Sequence, residues 1–375
     1  MRSVDAIIVG AGAAGIGMAI ELNKIAGLEF GVLERDSIGA SFRRWPKQTR
    51  FITPSFYSNP FGLADLNSVD AGSSPSVFAG AEHLSGPQYA DYLTFVANVN
   101  QLPIATDCKV LKVAPHPDVG FYVGTELGEL FTRSLIWACG EYGFPDLKPF
   151  PGADYCQHYA QIDDWQSMGD GSYIVVGGYE SGLDSAYNLV KLGHQVRLLV
   201  KRATWDLTDV YDPSQVLSPY TRERLREIES SDQLEIVYDA EVVEVSKLEE
   251  KDKFRVTSAD GRYWDTENPP ILGTGFQKGG GARQIKALWD WDENGNLLLN
   301  EFDESTKSPG LFLVGPQVRQ EQRIYCFIYK FRQRFALIAN QIAERSNFEI
   351  QKPEGSNDGV WGPFGNSECC EGCEC

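Results

Sequence analysis

The sequence predicts an α/β protein with two parallel-sheet units. Three observations predict it. An apolar strand, a glycine-rich turn and a helix follow one another over residues 5–22, the same series returns over residues 173–192, and each series leads to a further apolar strand that ends on charged residues. The 375 residues, 42% hydrophobic and 12% aromatic, are enough material for two ordinary cores.

In the first series Asp5-Ala6-Ile7-Ile8-Val9 meets Gly10-Ala11-Gly12-Ala13-Ala14-Gly15, and Ile16 to Leu22 continues as helix. Gly10 allows the tight turn, Gly12 lets a pyrophosphate approach bare backbone, and Gly15 lets helix and strand pack closely, with the phosphates at the helix N-terminus beside Ala13 and Ala14. The next strand, Phe30-Gly31-Val32-Leu33, ends at Glu34 with Arg35 beside it, and Glu34 is placed to accept hydrogen bonds from ribose hydroxyls.

In the second series Tyr173-Ile174-Val175-Val176 leads into Gly177-Gly178-Tyr179-Glu180-Ser181-Gly182, a helix over Leu183–Leu192 and a strand over Gln195–Val200. Lys201 stands at the same offset from Gly177 as Glu34 does from Gly10, with Arg202 next to it. A carboxylate suits a free 2′-hydroxyl, whereas two cations suit a 2′-phosphate, so the second fold is expected to take NADPH in preference to NADH. Tyr179 stands where the fingerprint has its central glycine, so its ring has to swing aside or stack on the nucleotide.

The formal net charge of −18 opposes extended contact with phosphate backbones or anionic membranes, which excludes nucleic acid as an expected partner. The first residues run directly into a strand, and no apolar run approaches the roughly 18 to 20 residues of a membrane span, so a cytoplasmic location without membrane attachment is expected. Of eight cysteines, Cys108, Cys139, Cys156 and Cys326 are scattered in or beside apolar segments and read as small core residues. Homo-oligomerisation is left open.

Two such folds in this order resemble the two-dinucleotide-binding-domain flavoproteins, which include thioredoxin reductases, bacillithiol disulfide reductases and flavin-containing monooxygenases. The likeness spans about residues 1 to 345. Gly39-Ala40-Ser41-Phe42-Arg43-Arg44-Trp45-Pro46, Thr53-Pro54-Ser55-Phe56 and Tyr89-Ala90-Asp91-Tyr92-Leu93 are more specifically similar to bacterial monooxygenase-like flavoproteins, some of them associated with metal resistance. The resemblance implies two Rossmann-like domains, FAD in the first and NADPH in the second, with the second inserted into the first. Leu135-Ile136-Trp137-Ala138-Cys139-Gly140 and Ile271-Leu272-Gly273-Thr274-Gly275 resemble the segments at which such chains cross between domains. The implied division is 1–165 for the first part of the FAD domain, 166–300 for the NADPH domain, 301–350 for the return segment and 351–375 for a tail. Gly140, Gly275 and Gly315 become cofactor contacts by the same resemblance. Pro316 replaces an aspartate that relatives often place on the ribityl chain, which leaves backbone as the expected contact there. Over Phe327–Arg345 a helix is expected, with Ile328, Phe331, Phe335, Ile338 and Ile342 as its packing stripe and Arg332 and Arg334 on its solvated face.

No CxxC lies within either nucleotide fold, and the first glycine turn carries Ala13 and Ala14 where bacillithiol disulfide reductases carry a cysteine, so a standard disulfide reductase is disfavoured. Phe150-Pro151-Gly152, His158 and Trp165 resemble the monooxygenase linker without matching its spacing. His158 is a candidate catalytic residue, against its reading as hydrogen-bonded filler. Asn59 resembles the asparagine beside the flavin in flavin-containing monooxygenases, against its reading as a turn starter before Pro60. Trp45 and Pro46 are candidate walls of the flavin site.

Residues 353–368 are rich in turn formers and read as a linker that would span about 50 Å if extended. Cys369, Cys370, Cys373 and Cys375 then crowd the last seven positions. Such thiols suit redox exchange or a soft metal, and the interleaved glutamates favour the metal by raising thiol pKa values. The expected function is an NADPH-oxidising, FAD-dependent oxidoreductase of monooxygenase type acting on a small molecule. A thiol or metal reductase using the tail, and a non-enzymatic flavin redox sensor, are the alternatives.

Overall fold

The structure is a computed structural model describing residues 2–56, 64–117, 120–203, 205, 210, 212–248 and 253–348. Asn59, Cys369, Cys370, Cys373 and Cys375 lie outside the described residues. The chain forms two compact units, one from 1–43, 54–141 and the segment from 278 onward, the other from 44–53 and 142–277.

The first unit opens with β1 (Arg2–Val9), α1 (Ala13–Asn23), β2 (Phe30–Leu33), α2 (Ala40–Arg43), α3 (Pro75–Ala79) and α4 (Gly86–Val99), followed by β3 (Ile104–Ala105), β4 (Val110–His116), β5 (Gly120–Thr125) and β6 (Gly128–Trp137). β3, β2, β1 and β6 run parallel, as strands joined by crossovers do, while β5 and β4 continue the sheet antiparallel. α1 is apolar almost all round and almost wholly buried, which is what a helix covered on every side requires. α4 starts on a capping box in which Ser85 and Gln88 satisfy each other's backbone N–H groups.

The second unit holds β7 (Gln157–His158), β8 (Ser172–Val176), α5 (Glu180–Lys191), β9 (Gln195–Leu199), α6 (Pro219–Ile228), β10 (Leu234–Val237), the antiparallel ladder β11 (Val242–Lys247), β12 (Phe254–Ser258) and β13 (Tyr263–Thr266), and β14 (Ile271–Leu272). Its main sheet is parallel throughout, in the order β10-β9-β8-β14-β7. Apolar side chains of β8, β9 and α5, among them Val175, Leu198, Ala186 and Leu189, close on Trp165 to form the core of this unit. The chain then returns to the first unit through β15 (Asp290–Trp291), β16 (Leu297–Leu298), β17 (Leu311–Leu313), β18 (Arg319–Gln320), β19 (Arg323–Ile324), α7 (Ile328–Phe331) and α8 (Phe335–Arg345). β17 pairs with β6 in parallel, Leu311 opposite Leu135 and Leu313 opposite Trp137. The α/β class and the two nucleotide folds expected from the sequence are present.

One expectation is corrected. The segment expected as one helix from Phe327 is broken by a tighter turn over Arg332–Arg334, and neither arginine forms a solvated face. Arg332 is buried, donates to the carbonyls of Asp65 and Ser68, the latter at 2.8 Å, and is pushed down to about 10 by burial. Arg334 donates to the carboxylate of fully buried Asp303 at 2.8 Å. Buried carbonyls and a buried carboxylate need donors, and two arginines of the helix supply them. The apolar stripe Ile328, Phe331, Phe335, Ile338 and Ile342 is buried as expected. No helix among the described residues is long and apolar enough to cross a membrane.

Candidate functional site

The first glycine turn divides its labour between three positions. Gly10 has φ +105°, and a Cβ there would lie 2.6 Å from the carbonyl oxygen of Ala138. A Cβ on Gly15 would fall 1.9 Å from the carbonyl oxygen of Gly10, so this position must be bare for α1 to meet β1. At Gly12, by contrast, a Cβ meets nothing within 4 Å. The open side of the turn is therefore at the N-cap of α1, where the N–H groups around Ala13 and Ala14 attract a phosphate and the first turn of the helix carries no acidic residue. Gly140 at the end of β6 also faces open space, and Gly315 at the end of β17 lies close to Ala14. The carboxyl ends of β1, β6 and β17 thus lie together at the edge along which parallel sheets hold nucleotides.

Glu34 accepts from the backbone N–H of Ala11 at 2.7 Å through one oxygen and from that of Asp36 at 3.0 Å through the other. Each oxygen keeps a second lone pair, so the carboxylate is oriented by the turn and still able to receive ribose hydroxyls. Arg35 is exposed beside it. These residues fit an FAD adenosine and pyrophosphate.

The second turn repeats the backbone and changes the side chains. Gly177 has φ +113° and lies against the carbonyl of Gly273, and a Cβ on Gly182 would fall 1.8 Å from the carbonyl oxygen of Gly177. Tyr179, at the position of Gly12, directs its hydroxyl to the carbonyls of Ser214 (2.7 Å) and Val216 (2.5 Å), which ties its ring to the loop before α6. Trp205 donates to the carbonyl of Gly178 at 2.6 Å. Glu180 accepts from the backbone of Ser218 at 2.7 Å and from the hydroxyl of Thr221 at 2.5 Å, and burial pushes its carboxyl up against those two bonds. A carboxyl raised in this way opposes a phosphate at the start of α5 less than a free carboxylate would. Ser181 accepts from Ser185 through its carbonyl, and its hydroxyl, in the first turn of α5, has no hydrogen-bond partner among the described residues. Lys201 is exposed and paired with Glu241 at 2.5 Å, whereas Arg202 is exposed at the end of β9. Gly275, φ +82°, faces open space.

His158 is buried with both ring nitrogens engaged, Nε2 with the carbonyl of Gly275 at 2.9 Å and Nδ1 accepting from the N–H of Ala160 at 3.1 Å. Burial lowers its pKa, so it stands as a neutral ring held to the backbone on both sides, at Gly275 and Ala160. Trp45 packs with Phe51 and Tyr142 at ring distances of 4.9 and 6.3 Å within the second unit. Cys108, Cys139 and Cys156 carry free thiols. The Cys139 thiol points to the carbonyl of Val9, and burial pushes both Cys139 and Cys156 up to about 12.

Sequence reasoning missed a buried network under α5. Asp184 receives Arg224 at 2.6 Å, Thr49 at 2.7 Å and Tyr159 at 2.8 Å. It ties the segment 44–53 to the second unit. The one local signal is Ser218-Pro219, a legible helix start that places Arg224 on a helix, but nothing local points that helix at Asp184.

Comparison with known proteins agrees with this geometry. The chain is 23% identical over 348 residues to the bacilliredoxin reductase Bdr of Bacillus subtilis, covering 92% of this chain and 100% of that protein. Among solved structures it matches the bacillithiol disulfide reductase Bdr of Staphylococcus aureus with a TM-score of 0.73 at 20% identity, over 92% of this chain and 99% of that one. It also matches a flavin-containing monooxygenase of Stenotrophomonas maltophilia with a TM-score of 0.70 at 16% identity, over 92% and 100%. The family model for pyridine nucleotide-disulphide oxidoreductases matches residues 7–315. The chain therefore belongs to the pyridine nucleotide-disulphide oxidoreductase family and is an oxidoreductase whose cofactors are FAD and NADPH.

Proposed function

We propose that the protein oxidises NADPH and passes the electrons through FAD to dioxygen, placing one oxygen atom on a small-molecule substrate and releasing the other as water. The observation that carries this reading is the condition of the thiols. Positions 13 and 14 of the first turn are alanines, and Cys139, whose thiol reaches the carbonyl just before Gly10, is pushed up to about 12 by burial. Disulfide exchange proceeds through a thiolate, and at neutral pH this buried thiol stays protonated.

Bound FAD would accept a hydride from NADPH and supply the two electrons that reduce dioxygen. The chain's own residues bind and orient: Gly12 and the first turn of α1 hold the pyrophosphate, Glu34 the adenosine ribose, the start of α5 the NADPH pyrophosphate, and Lys201 with Arg202 the 2′-phosphate. Asn59 and Trp45 are proposed to border the flavin. The segments 1–165, 166–300 and 301–350 are proposed as the functional division of the chain.

The test is anaerobic reduction by NADPH followed by separate addition of oxygen, a small disulfide and a soft-metal salt. Flavin bleaching and prompt reoxidation by oxygen are expected. Reoxidation by disulfide or metal alone overturns the proposal. A second reading rests on the four cysteines within the last seven residues, which suit a thiol or soft-metal acceptor. Under it, removal of 369–375 abolishes acceptor turnover; under the first reading NADPH oxidation is unchanged by that truncation.

A further inference from the structure

The flavin half of the nucleotide edge carries a carboxyl that no motif announced. Glu34 marks the adenosine end at β2 and the open N-terminus of α1 marks the pyrophosphate. The sheet continues from β1 to β6 and on to β17, so a dinucleotide stretched along the carboxyl edge must carry its riboflavin half past the ends of β6 and β17. Two polar side chains stand at those ends. Glu141 follows Gly140 after β6, Gln317 follows Gly315 and Pro316 after β17, and the Gln317 amide donates to Oε2 of Glu141. The carbonyl oxygen of the same amide accepts from the backbone N–H of Gly279 at 2.7 Å, which fixes its orientation. Glycines make room for the pair. A Cβ on Gly280 would lie 2.6 Å from the carbonyl oxygen of Gly140 and 3.1 Å from the Cα of Glu141, while Gly140 itself faces open space. Oε1 of Glu141 accepts no hydrogen bond from the described residues.

We propose that Glu141, oriented by Gln317, is the residue that receives a ribityl hydroxyl of FAD through its Oε1, in place of a side chain at Pro316. The carboxyl has moved from the end of one strand to the end of its neighbour, and the amide of Gln317 bridges the two. Burial raises the Glu141 carboxyl, against the bond from Gln317 and the charge of Arg319, so it can also donate to a hydroxyl oxygen. Backbone contact alone, as the sequence suggests at Pro316, leaves this polar pair without a use.

The inference rests on FAD lying at the first glycine turn, and the experiment separates the two. Apoprotein is titrated with FAD, with ADP, and with an FAD analogue lacking the ribityl 2′-hydroxyl, for wild type, Glu141→Ala and Gln317→Ala, with binding read from flavin fluorescence and, for ADP, from calorimetry. ADP affinity should be the same in all three proteins. FAD should bind about ten-fold more weakly to Glu141→Ala and by an intermediate factor to Gln317→Ala. The deoxy analogue should bind wild type and Glu141→Ala equally. Unchanged FAD affinity in Glu141→Ala with normal ADP binding overturns the proposal, as does a deoxy analogue that still distinguishes the two proteins. Failure of wild type to bind FAD or ADP would instead overturn the placement of FAD. If Glu141→Ala is not recovered folded, Glu141→Gln and Gln317→Ala carry the same comparison.

Discussion

Arg224 meets Asp184 at 2.6 Å inside the second unit, both side chains less than a tenth exposed. Removing the cation leaves a carboxylate buried with only neutral donors. Arg224→Ala is expected to cost about 3 to 5 kcal/mol, measured by urea unfolding. Replacing both partners, Asp184→Leu with Arg224→Met, should cost less than the single change, because no orphaned charge remains.

The glycine turns separate folding from binding. A methyl at Gly12 enters open space, so Gly12→Ala should leave the apoprotein as stable as wild type and weaken FAD by at least about ten-fold. Gly15→Ala drives a methyl into the Gly10 carbonyl and should lower the melting temperature of the apoprotein itself. Thermal melts with and without FAD distinguish the two.

Nucleotide choice should depend more on Arg202 than on Lys201, since Lys201 is already engaged by Glu241. Arg202→Ala should reduce the ratio of kcat/KM for NADPH to that for NADH by about ten-fold. Lys201→Ala should change it less, and Glu241→Gln should raise it by freeing the lysine. Equal effects of the two cations would contradict this order.

His158 gives a pH signature of stability. Its folded pKa lies below the ordinary 6.5, so as pH falls through 6.5 the unfolded chain takes up a proton that the folded protein refuses. The unfolded state then binds more protons, and stability declines on the acid side while it is fully present above that range. The denaturation midpoint of wild type should therefore drop more steeply below about pH 6.5 than that of His158→Gln. Parallel profiles would refute the assignment.

Much of the fold and half of the candidate site were legible because they are local. Gly10 and Gly177 hold positive φ in tight turns, Gly15 and Gly182 lie against the carbonyls of Gly10 and Gly177 five residues earlier, and Glu34 and Lys201 stand just beyond β2 and β9. The Tyr179 departure was visible too, but its resolution was not, because its hydroxyl partners at 214 and 216 belong to a different loop.

By itself, the sequence determined the two strand–turn–helix units, their order and the apolar stripe of the last helix. Only the tertiary structure decided that Arg332 and Arg334 turn inward, that His158 spends both nitrogens on backbone, that segment 44–53 packs in the second unit, and that Glu141 meets Gln317 across a separation of 176 residues. The physical reason is range. A glycine turn is selected by sterics that act within one turn of chain, whereas a buried charge or carboxyl is selected by whichever distant group the packing brings to satisfy it.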